Sequence, residues 1–177
     1  MKTPAVAALL LCALCISSMA DKPRLPRAML EQVENILDAK FTAIWPLDPV
    51  EVVGVPQSAY LSGYGVVFMS KVNLAPAAGI TPFHPTIKPE EIKRTHDKKM
   101  QRIDQLRTTM RSMLVDTAAS LDSVPADDQI ALGVSLFYWN WENHEGLPNQ
   151  IVMHAPKKVL LAAKTGAGPA TITADEY

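Results

Sequence analysis

Residues 60–74, YLSGYGVVFMSKVNL, decide the fold because both faces of this stretch carry apolar side chains. Successive side chains of an extended segment alternate. Tyr64, Val66, Phe68, Val72 and Leu74 therefore share one side, and Gly65, Val67, Met69 and Lys71 the other. A strand that is apolar on both sides belongs in the middle of a sheet. Gly63 and Gly65 would offer backbone amides to a phosphate if they opened a helix. Val66-Val67-Phe68 continues as strand, so the glycines instead mark a bulge or a point where another backbone packs close.

Working outward, residues 50–55 are a short β-branched run linked to this strand through Pro56-Gln57-Ser58, which predicts a tightly joined pair. Upstream, Met29, Leu30, Val33, Ile36, Leu37 and Phe41 recur at helical spacing and predict a helix over 27–40 behind Pro26, stopped by Pro46 and Pro49. Downstream, Pro76, Pro82, Pro85 and Pro89 forbid a continuous helix and predict a surface loop over 75–89.

Pro89, followed by Glu90 and Glu91, has the composition of a helix start. Ile92, His96, Lys99, Ile103, Leu106, Met110, Met113 and Thr117 then step along one face and predict a helix over 90–121. At 1.5 Å per residue it would be about 48 Å long, more than a domain of this size spans. Only the half from Ile103 onward is strongly apolar. The expectation is that its first third overhangs or kinks, projecting a basic end that carries Lys93, Arg94, Lys98, Lys99 and Arg102.

Beyond a turn at 122–128, residues 129–139 alternate: Ile130, Leu132, Val134, Leu136 and Tyr138 against Ala131, Gly133, Ser135, Phe137 and Trp139. This is a strand, and its late aromatic residues need no function to explain them. Residues 142–149 read as a connecting loop, 150–154 as the return strand, and 157–164 as a last helix ended by Gly166. The fold expected is α+β: an antiparallel sheet of about four or five strands packed against a long central helix plus N- and C-terminal helices. The domain would run over 27–165, between a flexible segment at 21–26 and a flexible tail at 166–177.

The chain start predicts export. Lys2 precedes an apolar run over 6–16, and Ser18-Met19-Ala20 places small residues for cleavage after Ala20. The run is too short to span a bilayer, so the mature chain is expected in the periplasm or outside the cell, without a transmembrane segment. Cys12 and Cys15 lie inside this leader, so the mature domain would hold together by its core alone. Taking Lys2 from 17 basic residues leaves 16 against 18 acidic ones, a net of about −2, which argues against a nucleic-acid binder on bulk charge.

Residues 60–74, together with LGVSLFYWNWEN at 132–143 and LPNQIVMHAPKKVLL at 147–161, resemble a family of exported bacterial proteins to which no activity is assigned. The resemblance implies export and a single domain, and it transfers no catalytic residues.

The chemistry must then come from side chains. Zinc or another divalent ion needs three or four ligands to converge. His84, His96, His144 and His154, with Glu142 and Glu145, are the conceivable set, and Glu142, His144 and Glu145 are its densest group. The histidines fall in different elements and match no helical ligand pair, so no metal and no cofactor is expected. Ser62-Gly63 and Ser70-Lys71 lack a nucleophile elbow, while Asp127-Asp128 and Glu90-Glu91 suit caps and helix starts better than acid–base pairs. No catalytic residue is assigned. Tyr138, Trp139, Trp141, Glu142 and His144 are the candidate ligand-binding residues, because indole and phenol faces beside polar groups suit a sugar ring or a peptide. The function expected is an exported, non-enzymatic binding, assembly or envelope-associated module with a protein or glycan partner. The alternative is a small metal- or carboxylate-dependent hydrolase built on residues 142–145.

Overall fold

The computed structural model describes residues 25–77, 79–83, 85–167 and 171–177. The expected leader at 1–20, with Cys12 and Cys15, and His84 lie outside the described residues. Three helices and six strands follow in the order α1 (Arg27–Ala43), β1 (Glu51–Val52), β2 (Gln57–Leu61), β3 (Gly65–Asn73), α2 (Pro89–Ala118), β4 (Gln129–Leu136), β5 (Gln150–Pro156), α3 (Lys157–Lys164) and β6 (Thr173–Glu176). Among the described residues no helix is long and apolar enough to cross a membrane.

α1 begins behind Pro26, whose extended backbone suits a helix entry. Leu30, Val33, Leu37 and Phe41 recur at three- and four-residue spacing and are buried, each contributing about 1.5–3 kcal/mol of apolar burial. Leu25, expected in a flexible segment, packs against this core.

β3 is central, as its two apolar faces require: β1 and β2 flank one side and β4 the other. The stretch quoted above is nevertheless two strands. The chain reverses at Ser62-Gly63-Tyr64, where Gly63 adopts φ +84° and the Tyr64 N–H closes onto the Leu61 carbonyl at 3.0 Å. Residues 57–61 thus pair with 65–69, and the expected join at 56–58 already opens β2. Gly65 is a close approach of two backbones: a Cβ there would stand 2.0 Å from the Gln129 carbonyl oxygen.

The sheet has six strands and is mixed, where four or five antiparallel strands were expected. β2–β3, β4–β5 and β5–β6 pair antiparallel, but β3 and β4 are parallel, with Val66 beside Ile130 and Val72 beside Leu136. Hairpin links set direction within a pair; the 30-residue α2 between the pairs carries the chain back to its starting edge, so both strands run the same way. The expected tail is also corrected in part, since Thr173–Glu176 adds to the edge of β5 and Tyr177 exchanges both backbone hydrogen bonds with Gln150.

One sheet face meets the helices. Val66, Ile130 and Ala155 form one row and Phe68, Leu132 and Met153 the next, packed with Leu106, Met110, Met113, Leu114 and Leu160. Lys157 closes the turn after α2 by donating to the Leu121 and Val124 carbonyls at 2.7 and 2.8 Å. No described helix covers the opposite face. Its rows run Ala59, Val67, Ala131, His154, Thr173 and Gln57, Met69, Gly133, Val152, Asp175.

Candidate functional site

The basic half of α2 does not overhang. Thr95, Lys99, Arg102 and Leu106 are all buried, at the spacing of one inward stripe. Lys99 donates to the Phe137 carbonyl at 2.8 Å and to the Glu142 carboxylate, with its ammonium 4.6 Å from the centre of the Tyr138 ring. Arg102 turns the other way: it donates to the Leu74 carbonyl, to the Asp48 carbonyl at 2.8 Å and to Asp48 Oδ2 at 2.5 Å, and stacks 4.8 Å from Trp45. Two buried cations thereby clasp the loops on either side of the helix. Lys93 and Lys98, by contrast, serve exposed or half-exposed ion pairs to Asp97 and Asp48.

Burial pushes the Lys99 ammonium below its ordinary pKa, and the Glu142 hydrogen bond and charge work against that shift. Burial, with the Glu142 charge, pushes the Tyr138 phenol upward, so it remains a neutral donor, to the Pro148 carbonyl at 2.7 Å. The Lys98 hydrogen bond, helped by the Arg102 charge, holds Asp48 below the usual carboxylate range.

The strand alternation continues past β4 and divides the predicted aromatic group. Tyr138 and Glu142 turn toward α2. Glu142 also accepts the Trp139 N–H at 3.2 Å, and the exposed His144 ring lies tilted on Tyr138 at 5.3 Å. Trp139 turns to the uncovered sheet face, 38% exposed, edge-on to Phe137 at 5.0 Å, and the Lys71 ammonium lies 5.2 Å from the Phe137 ring centre. The Trp141 indole N–H is buried and meets no acceptor among the described residues. The five predicted residues therefore share no single platform. His96 Nδ1 lies 3.0 Å from the Asn143 carbonyl and His154 Nδ1 3.3 Å from Gln129 Oε1. Among the described residues no three His, Cys, Asp or Glu side chains converge as metal ligands.

What the uncovered face offers is apolar relief. A Cβ on Gly133 would fall 2.3 Å from Met69 Sδ, so the missing side chain is what lets Met69 lie across β4. Met69 separates two shallow grooves, about 370 Å³ beside Val53, Val55 and Lys71 and about 250 Å³ beside Ala59, Leu61 and Val67. Val55 in the first and Leu61 in the second stand exposed. Sequence reasoning found Trp139 but missed Met69 and Gly133. Their pairing exists only in the parallel register of β3 and β4.

No family model, no curated protein and no solved structure matches this chain.

Proposed function

We propose that the protein is an exported, non-enzymatic binding module of the cell envelope, and that a protein partner seats on the uncovered face of its sheet. The observation that carries this reading is the row of Met69 over Gly133 with Leu61, Val67 and Val152 beside it, an apolar patch with no described helix over it. An unlayered apolar face of this kind is a recognition surface rather than a reaction vessel. The hydrolase alternative is less well supported, because Glu142 is committed to Lys99 and to the Trp139 N–H and is sealed from water.

Single substitutions Leu61→Asp and Met69→Asp place a charge on the patch without touching the helical core. Capture from envelope extract should retain a defined protein with the unsubstituted chain and lose it with both variants, while their melting temperatures stay close to the parent. Retention of the same partner by both variants would sink the reading.

A further inference from the structure

The uncovered sheet face sorts its side chains by strand. In the rows through Val67, Met69 and Lys71 the middle is apolar or small: Val67 and Met69 on β3, Ala131 and Gly133 on β4, Val152 on β5. Fixed charge stands only to either side of that middle. Lys71 of β3 is exposed, and among the described residues its ammonium meets the Phe137 ring and no carboxylate. Asp175 lies across the sheet on β6. Its carboxylate is 3.8 Å from His154 Nε2 and pairs with no lysine or arginine among the described residues.

Such a face is complementary to itself. A two-fold axis along β4 turns it onto a second copy and sets β3 of each chain over β5 of the other. Met69 then meets the partner's Val152 on both sides of the axis. Between them lies Gly133, whose missing side chain lets the two β4 strands approach. Lys71 stands over the partner's β5, one strand from the partner's Asp175 and within the reach of a lysine side chain between sheets about 10 Å apart. Two copies thus answer both charges and cover both apolar middles. A partner of uniform charge would answer one group and repel the other.

The size of the face agrees. Five strands about 4.8 Å apart, averaging six or seven residues at about 3.4 Å each, give a projected area of roughly 500 Å². Stable interfaces begin at about 600 Å² per partner, so a dimer that dissociates on dilution is expected.

We propose that the occupant of the sheet face is a second copy of this chain, the two sheets packing face to face as an aligned sandwich. This rests on the reading of the face as a docking surface and names its partner.

The test is sedimentation velocity of the chain freed of the expected leader, which should run as a dimer at about 100 μM and as a monomer at about 1 μM. Lys71→Glu and Asp175→Lys should each weaken the dimer about tenfold, because each turns two attractive contacts into repulsive ones. An equimolar mixture of these two variants should recover the dimer, since in the mixed pair every reversed charge faces an opposite one. A loss of fold could not be rescued in that way. Val152→Asp, in the middle of the contact, should remain monomeric throughout.

The inference is overturned if the unsubstituted chain stays monomeric at the higher concentration, if the reversed charges leave the dimer unchanged, or if the mixture associates no better than either variant alone. A monomer that captures a different protein, and loses it with Leu61→Asp and Met69→Asp, overturns the second copy but leaves the docking face standing. Capture that persists in both of those variants removes the docking face itself.

Discussion

Lys99 of α2 and Glu142 of the loop between β4 and β5 form an ion pair in which each side chain is 1% exposed, 43 residues apart in the chain. The ammonium completes its donors on the Phe137 carbonyl and lies against the Tyr138 ring. The carboxylate completes its acceptors on the Trp139 N–H. A buried pair satisfied on both sides in this way anchors the aromatic loop to the helix.

Removing one partner leaves the other charged and dry. Glu142→Ala and Lys99→Ala should therefore each lower unfolding free energy by about 3–5 kcal/mol in urea titrations. A Lys99→Met, Glu142→Leu double variant should recover most of that loss, because an apolar pair of similar volume avoids the desolvation cost. Additive losses in the double variant would show that the pair is not coupled.

Two glycines separate rigid from yielding contacts. Gly65→Ala drives a Cβ into the Gln129 backbone at a φ of +137°, and should cost more than about 3 kcal/mol, since backbone strain alone is worth about 1–3. Gly133→Ala meets only the end of the Met69 side chain, which can swing aside. Its cost should stay near 1 kcal/mol and should vanish in the Met69→Ala background. Equal losses at the two positions would refute this distinction.

Acid stability follows from four carboxylates held below their ordinary values by basic neighbours: Asp48 by Lys98, Asp116 by Lys40, Asp127 by Lys158 and Glu176 by Arg107. A carboxylate whose folded pKa is depressed stabilises the fold above its unfolded value, and that contribution is lost as pH falls toward the folded one. The melting temperature should thus stay level from neutral pH to about 5 and fall as pH drops through 4.5 and 3.8, the ordinary values of Glu and Asp. Asp116→Asn with Glu176→Gln should melt lower at neutral pH and show a shallower acid fall. An unchanged acid slope in that variant would count against the assignment.

The periodicity of side chains determined a good deal by itself. α1 and α3, the alternation of β4 through Trp139 and the central place of β3 were all legible, because each depends on residues a few positions apart in the chain, whereas the glycines at 63 and 65 left a bulge and a close backbone approach both open. The turn at Ser62-Gly63-Tyr64 was misplaced because Gly63 reads equally as strand or turn until its φ is known. Only the tertiary structure decided that β3 and β4 run parallel, that the C-terminal residues form β6 and that Lys99 and Arg102 are buried. Lys99 already lay on the helical stripe, but a lysine there is tolerable inside a protein only if a carboxylate arrives to meet it. The arrival of Glu142 and Asp48 is set by the packing of distant segments. The same holds for Met69 over Gly133 and for Trp45 beneath Arg102: strand register and helix placement, summed over the whole core, bring such pairs together, and no local pattern encodes them.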